Sequence, residues 1–291
     1  MPADLIELEY KIKFEGRDAD RHVLEAYPAA QTLEGLTWAL AVAVNFAVTG
    51  EIRHKGDLSR SAKIFIHPPR RGSVINDLNV IVQQHPFLVA TVGGYAVNTV
   101  TPFINGVVGY AFRQAMGYGS GFLHGSKKYL KGFDENRLDK LVTRIEPPLT
   151  RAHAVIGKTA DEVILRSKRT DLATFDYGTK AFMEARISDS FETLDTNITS
   201  LNVLTGNGRL YEPVTQVTAP FSLNTNTPKA TRKTVILSMD QFSMGRNGKI
   251  RLTVQRVETL EKRLKKYVIS SAEEIPQVDW INGVDPLRSA R

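Results

Sequence analysis

Apolar and polar residues alternate along "DLIELEYKIKFEG": Leu8, Tyr10, Ile12 and Phe14 fall on one side, Glu7, Glu9, Lys11 and Lys13 on the other. A period of two is the pattern of a half-buried strand. Gly16 and the charged run Arg17 to Arg21 end it. "PAAQTLEGLTWALAVAVNFAVTG" then carries one apolar stripe (Leu33, Leu36, Leu40, Val44, Ala47) and a second face of Trp38, Val42 and Phe46. This predicts a helix buried on several sides, with Pro28 in its first turn and Gly50 as its C-terminal cap. Glu34 and Asn45 argue against reading it as a membrane span. "SAKIFIHPP" and "GSVINDLNVIVQQ" flank the turn-forming "PPRRGS" and predict a hairpin. Together these pieces give a β-α-β-β unit.

No Lys, Arg, Asp or Glu occurs between Asp77 and Arg113. Within that stretch Val100, Phe103, Ile104, Val107, Val108, Ala111, Phe112, Ala115 and Met116 recur at helical spacing. Thr101 and Pro102 suit its start. The opposite face carries Asn105, Tyr110, Arg113 and Gln114, so the apolarity is one-sided. A shorter helix is expected from Pro86, ending at the pair Gly93–Gly94. Polar residues near the middle interrupt the roughly 20 apolar residues that a span requires. Farther on, "ENRLDKLVTRIEPPLTRAHAVIG" reads as a helix broken at Pro147 and Pro148. "DEVILRS" reads as a strand, and "LATFDYGTKAFMEARI" as a further helix.

After about Ser188 short alternating runs dominate. "TSLNVLTGNGRLY" predicts a hairpin at Gly206–Gly208. "KTVILSM", "KIRLTVQRVETL" and "KKYVIS" read as strands. The expected fold class is α+β: an N-terminal β-α-β-β unit with packed helices, followed by a small C-terminal β-barrel, SH3-like or OB-like. The boundaries are 1–185, including a glycine-rich apolar helical region at 85–122, then 186–271, and a peripheral tail at 272–291.

Composition narrows the chemistry. The 291 residues contain no cysteine, which excludes disulfides, thiolate metal sites and thiol catalysis. The six histidines never stand three or four apart, so no zinc-binding helical pair exists. "GYGSGFLHGSKKYLKG" has Ser126 before Lys127, the reverse of the phosphate-loop order. Glu9-Tyr10-Lys11 is a minimal nuclease-like spacing that strand alternation explains equally well. No catalytic residue, cofactor or metal is therefore expected. The N-terminus lacks a basic then apolar leader, and a cytoplasmic location is expected.

The net charge is +7, which permits nucleic-acid or anionic partners. Candidate anion contacts are Arg70 and Arg71 in the hairpin turn, Lys127 and Lys128, Arg209 with Tyr211, and Arg232 with Lys233. The apolar face of Phe103, Ile104, Val107, Val108 and Phe112 is a candidate membrane or partner face.

The order "LEYKIKFEG", a long buried helix, "AKIFIHPPRRGSVINDLNVIV", a glycine-rich apolar region and "TSLNVLTGNGRLY" resembles an uncharacterised family of bacterial proteins. The resemblance spans most of the chain; its signatures are structural, Gly72–Ser73 and Gly206 to Tyr211. It implies no catalytic residue, and its members look like accessory proteins of mobile-element or phage-defence loci. The expectation is a non-enzymatic recognition or interaction protein that contacts a protein partner or forms a homo-oligomer. A second reading is a membrane-acting effector that uses region 85–121 only on activation. A third is a nucleic-acid-binding protein that uses the C-terminal barrel.

Overall fold

The fold was analysed in a computed structural model, which describes residues 5–53, 61–67, 74–118, 130, 133–212, 215–224 and 226–275. The chain divides into two compact units, Met1–Ala185 and Arg186–Arg291. Each has its own sheet and its own apolar core.

In the first unit, strand β1 (Leu5–Glu15) leads into helix α1 (Ala26–Thr49), then β2 (Ala62–Ile66) and β3 (Ile75–Gln83). Leu8, Tyr10, Ile12 and Phe14 are buried as their alternation requires. Gly50 caps α1 in the left-handed region, its N–H bonded to the Phe46 carbonyl at 2.8 Å. Helices α2 (Pro86–Val92), α3 (Val97–Ala115) and α4 (Glu135–Ala152) follow, then β4 (Glu162–Ser167), β5 (Thr170–Phe175) and α5 (Tyr177–Met183). The sheet order is β2-β3-β1-β4-β5, antiparallel throughout. β1 and β2 are joined through α1 with β3 between them, the split β-α-β arrangement. The "PPRRGS" connection lies outside the described residues.

Three elements differ from the sequence pattern. α3 begins at Val97, with Pro102 inside it rather than at its start. α4 runs through Pro147 and Pro148 to Ala152. Packing outweighs the two missing N–H groups there: Ile145, Leu149 and Ala152 are fully buried, and α1 approaches closely at Gly35. The segment expected as one helix is β5 followed by α5. Asp176 starts α5 with a capping box, accepting from the Thr179 N–H at 2.8 Å while its own N–H reaches the Thr179 hydroxyl at 2.8 Å.

The second unit contains β6 (Arg186–Thr196), β7 (Ile198–Leu201), β8 (Asn207–Glu212), β9 (Val217–Leu223), α6 (Lys229–Ser243), β10 (Ile250–Glu258) and β11 (Leu264–Glu274). Its order is β6-β10-β11-β9-β8-β7, with β9 and β11 parallel. No closed barrel is found among the described residues: β6 and β7 are separate edges, and α6 packs Val235 into the core. "KTVILSM" is part of α6 and not a strand. Thr231, Val235 and Ser238 are buried at i, i+4 and i+7, and this helical stripe overrides the β-branched composition.

Candidate functional site

β6 pairs with β10 alone among the described residues, and its other edge meets β8 only at the far end, where the Thr196 hydroxyl donates to the Tyr211 carbonyl. Most of its 11 residues are exposed, including Ile187 (54%) and Phe191 (60%). Opposite Gln255–Val257 the register jumps from Phe191 to Ile187, a bulge of the strand. The Ser188 and Ser190 hydroxyls hydrogen-bond at 2.8 Å, and the Gln255 side chain donates to the Ser188 carbonyl at 2.9 Å. Beyond the bulge the strand is regular. Arg251 holds its far end by donating to both carboxylate oxygens of Asp195, each at 2.8 Å. That contact draws the Asp195 carboxyl below its ordinary range. After Thr196, a single residue, Asn197, carries the chain from this edge to β7 at the opposite one.

A polar cluster lies within the second unit. Tyr267, buried on β11, donates its phenol to the buried carboxylate of Glu212 at the end of β8. Arg256 lies 5.9 Å from the Tyr267 ring centroid, 3.8 Å from Glu192 and 3.1 Å from Glu258. Burial, then the Glu212 contact, pushes the phenol pKa up. A phenol kept protonated donates a hydrogen bond and does not act as a base near neutral pH. The cluster joins β6, β8, β10 and β11, and its chemistry is that of a structural tie.

The residues singled out from sequence are dispersed. Arg209 is turned onto its neighbour strand, donating to the Thr218 hydroxyl at 3.0 Å and carbonyl at 3.3 Å. Tyr211, two residues on, is 37% exposed. Arg232 donates to the Asn224 carbonyl at 2.9 Å, and Lys233 is exposed on α6. Arg70, Arg71, Lys127 and Lys128 lie outside the described residues. Phe103, Ile104, Val107, Val108 and Phe112 are all at most 1% exposed, packed in the first core. At about 1.5–3 kcal/mol for each buried side chain, uncovering the five costs about 8–15 kcal/mol. That equals the whole stability of an ordinary domain, about 5–15 kcal/mol. By length and composition α1 qualifies as a span, and α2 with α3 qualify together although bent by 97°. In this structure the apolar window of α1 is 72% buried.

Glu9 and Lys11 face away from the first core, with Asp77 at 3.8 Å from Lys11. Among the described residues no group of three His, Asp or Glu could hold a metal ion. His153 is a core residue. Its Nδ1 stands 2.7 Å from the Leu149 carbonyl and its Nε2 2.9 Å from the Thr179 hydroxyl. Nδ1 therefore carries the proton of a neutral ring, and Nε2 accepts from Thr179. Burial lowers the ring to about 4.

Sequence reasoning did not single out Phe191 or Ile187. The available signal was "RISDSFETLDT", a strand-length run with too few apolar residues for either face to be buried.

These features define a two-unit mixed α+β protein with one helix-covered antiparallel sheet and one six-stranded sheet. The chain belongs to the family described as Domain of unknown function (DUF7946), whose model matches residues 10–184, and residues 190–273 match the Family of unknown function (DUF7947). No curated protein and no solved structure matches it.

Proposed function

We propose that the protein is a non-catalytic recognition module that takes an extended segment of a protein partner onto the open edge of β6. One observation carries this reading: an 11-residue strand paired on one side, with Ile187 and Phe191 more than half exposed. Such edges are templates for strand addition, and proteins that do not use them keep them short, covered or interrupted. β6 has its bulge near one end only, which leaves 191–195 regular. In strand addition the main-chain hydrogen bonds supply affinity and alternate side chains supply specificity. Phe191 offers an apolar contact, while the exposed Asp189 favours Lys or Arg in the incoming segment. In the mobile-element or phage-defence setting that the sequence resemblance implies, such a module would be an accessory component.

A random-peptide display library panned against the full chain and against Phe191→Glu tests the reading. Enrichment of peptides that alternate apolar and basic residues, with binding to the variant weakened at least tenfold, is the expected result. Equal enrichment on both proteins, or none on either, overturns it.

A further inference from the structure

The first unit carries a second, unrelated surface. On α4, Arg137, Lys140, Arg144 and Arg151 are spaced by three, four and seven residues. At about 100° per residue these fall within roughly 60° of one another, on a stripe about 21 Å long. Asp139 and Glu146 each come two residues after a stripe cation, about 200° further round the helix. The stripe adjoins α1 at Trp38: the Arg151 guanidinium is 4.8 Å and that of Arg144 5.8 Å from the indole ring centroid. Arg144 also donates to the Arg53 carbonyl at 3.3 Å, which brings the chain beyond α1 to the same place.

Two observations show that donors outnumber acceptors on this face. Among the described residues, the indole Nε1 of Trp38 and Nη1 of Arg53 are buried donors without a hydrogen-bond partner. Buried donors in this condition are uncommon and call for an explanation. The acid seated among these cations, Glu34, has both oxygens committed to Arg151, at 2.7 and 3.0 Å. Arg137 and Lys140 are exposed at the other end. What fits such a face is a ligand of repeated negative charge rich in acceptor oxygens.

We infer that the α1–α4 face binds the phosphate backbone of a single-stranded nucleic acid. The stripe is far longer than one anion, which favours a polymer. Tyr27, 71% exposed, precedes Gln31, Glu34 and Trp38 on one line of α1, so the line that meets Arg151 at Glu34 begins with an exposed aromatic. Cationic tracks with flanking aromatics are the pattern of single-strand binding. The inference is independent of the β6 edge, which belongs to the other unit.

The test is fluorescence anisotropy of the full-length chain with a labelled 20-nucleotide oligo-dT over a salt series. Three contacted phosphates, at Arg137, Lys140 and Arg144, give a slope of log K against log salt of about −2, since Arg151 is already paired with Glu34. Arg137→Glu with Lys140→Glu, both exposed, should weaken binding at least tenfold at low salt and flatten the slope by about 1.4. Arg232→Glu with Lys233→Glu, in the second unit, should leave binding unchanged. With Trp280→Phe, emission from Trp38 should change as the oligonucleotide is added. Circular dichroism confirms that each variant is folded. No binding at low salt, equal binding by the Arg137/Lys140 variant, or binding of poly-glutamate or phosphatidylserine vesicles in preference to oligo-dT overturns the inference.

Discussion

Gly35→Ala probes the α1–α4 contact directly. An added Cβ would stand 2.7 Å from the Ala152 nitrogen and closer still to the Pro148 carbonyl oxygen. Ordinary contact begins at 3.4 Å, so the helices must part by roughly 0.7 Å for the nitrogen alone. Both neighbours are backbone, and no rotamer change relieves them. In isolation, Gly to Ala stabilises a helix interior by about 0.5–1 kcal/mol. Overpacking a filled core costs about 1–3 kcal/mol. A gap of this size also forfeits about a quarter to a half of the dispersion between the separated surfaces. The upper part of the range therefore applies, and the net effect is about 2 kcal/mol of destabilisation. For a unit of this size that lowers the midpoint of thermal unfolding by about 4–8 °C. Trp38 fluorescence in a Trp280→Phe background isolates the first unit. Gly178→Ala serves as control, because its Cβ would meet only a carboxylate oxygen at 3.3 Å, and its midpoint should hardly move. A midpoint for Gly35→Ala that is unchanged or raised would mean that α1 and α4 leave room for a methyl group there.

Three further outcomes are expected. The His153 ring has its folded value lowered by burial to about 4, against an ordinary 6.5. The unfolded chain thus takes up the proton first, and the native state loses stability as pH falls from 6.5 towards 4, by about 3 kcal/mol in full. Urea midpoints across that window should fall more steeply for the native chain than for His153→Gln. Tyr267→Phe removes the phenol from the buried Glu212 carboxylate and should cost about 1–3 kcal/mol. Adding Glu212→Gln should recover part of that loss in a double-mutant cycle followed by calorimetry. Phe112→Ala opens the first core beside Phe175, whose ring lies 6.3 Å away, edge to face. It should cost about 3–5 kcal/mol in chemical denaturation.

The parts of the fold legible in sequence are those where one periodicity dominates. Leu8 to Phe14 alternate and are buried, Gly50 caps α1, and the stripe from Val100 to Met116 packs inward as its spacing requires. Elsewhere two local signals competed and tertiary packing decided between them. The run Thr234, Val235, Ile236 is β-branched, yet a buried stripe at helical spacing makes it part of α6. Pro147 and Pro148 signal a break, but packing against α1 carries α4 through them. A break there would also split the basic stripe, parting Arg151 from Arg144, Lys140 and Arg137. The β6 edge was hidden for a different reason: whether a strand lies at an edge depends on pairing with distant β10.

Amide hydrogen exchange of the full chain, with and without an enriched peptide, tests most directly whether β6 receives a partner strand. Added protection concentrated at residues 190–195, and absent in Phe191→Glu, is the predicted result. Protection confined to other elements, with β6 exchanging at the same rate when the peptide is bound, would contradict it.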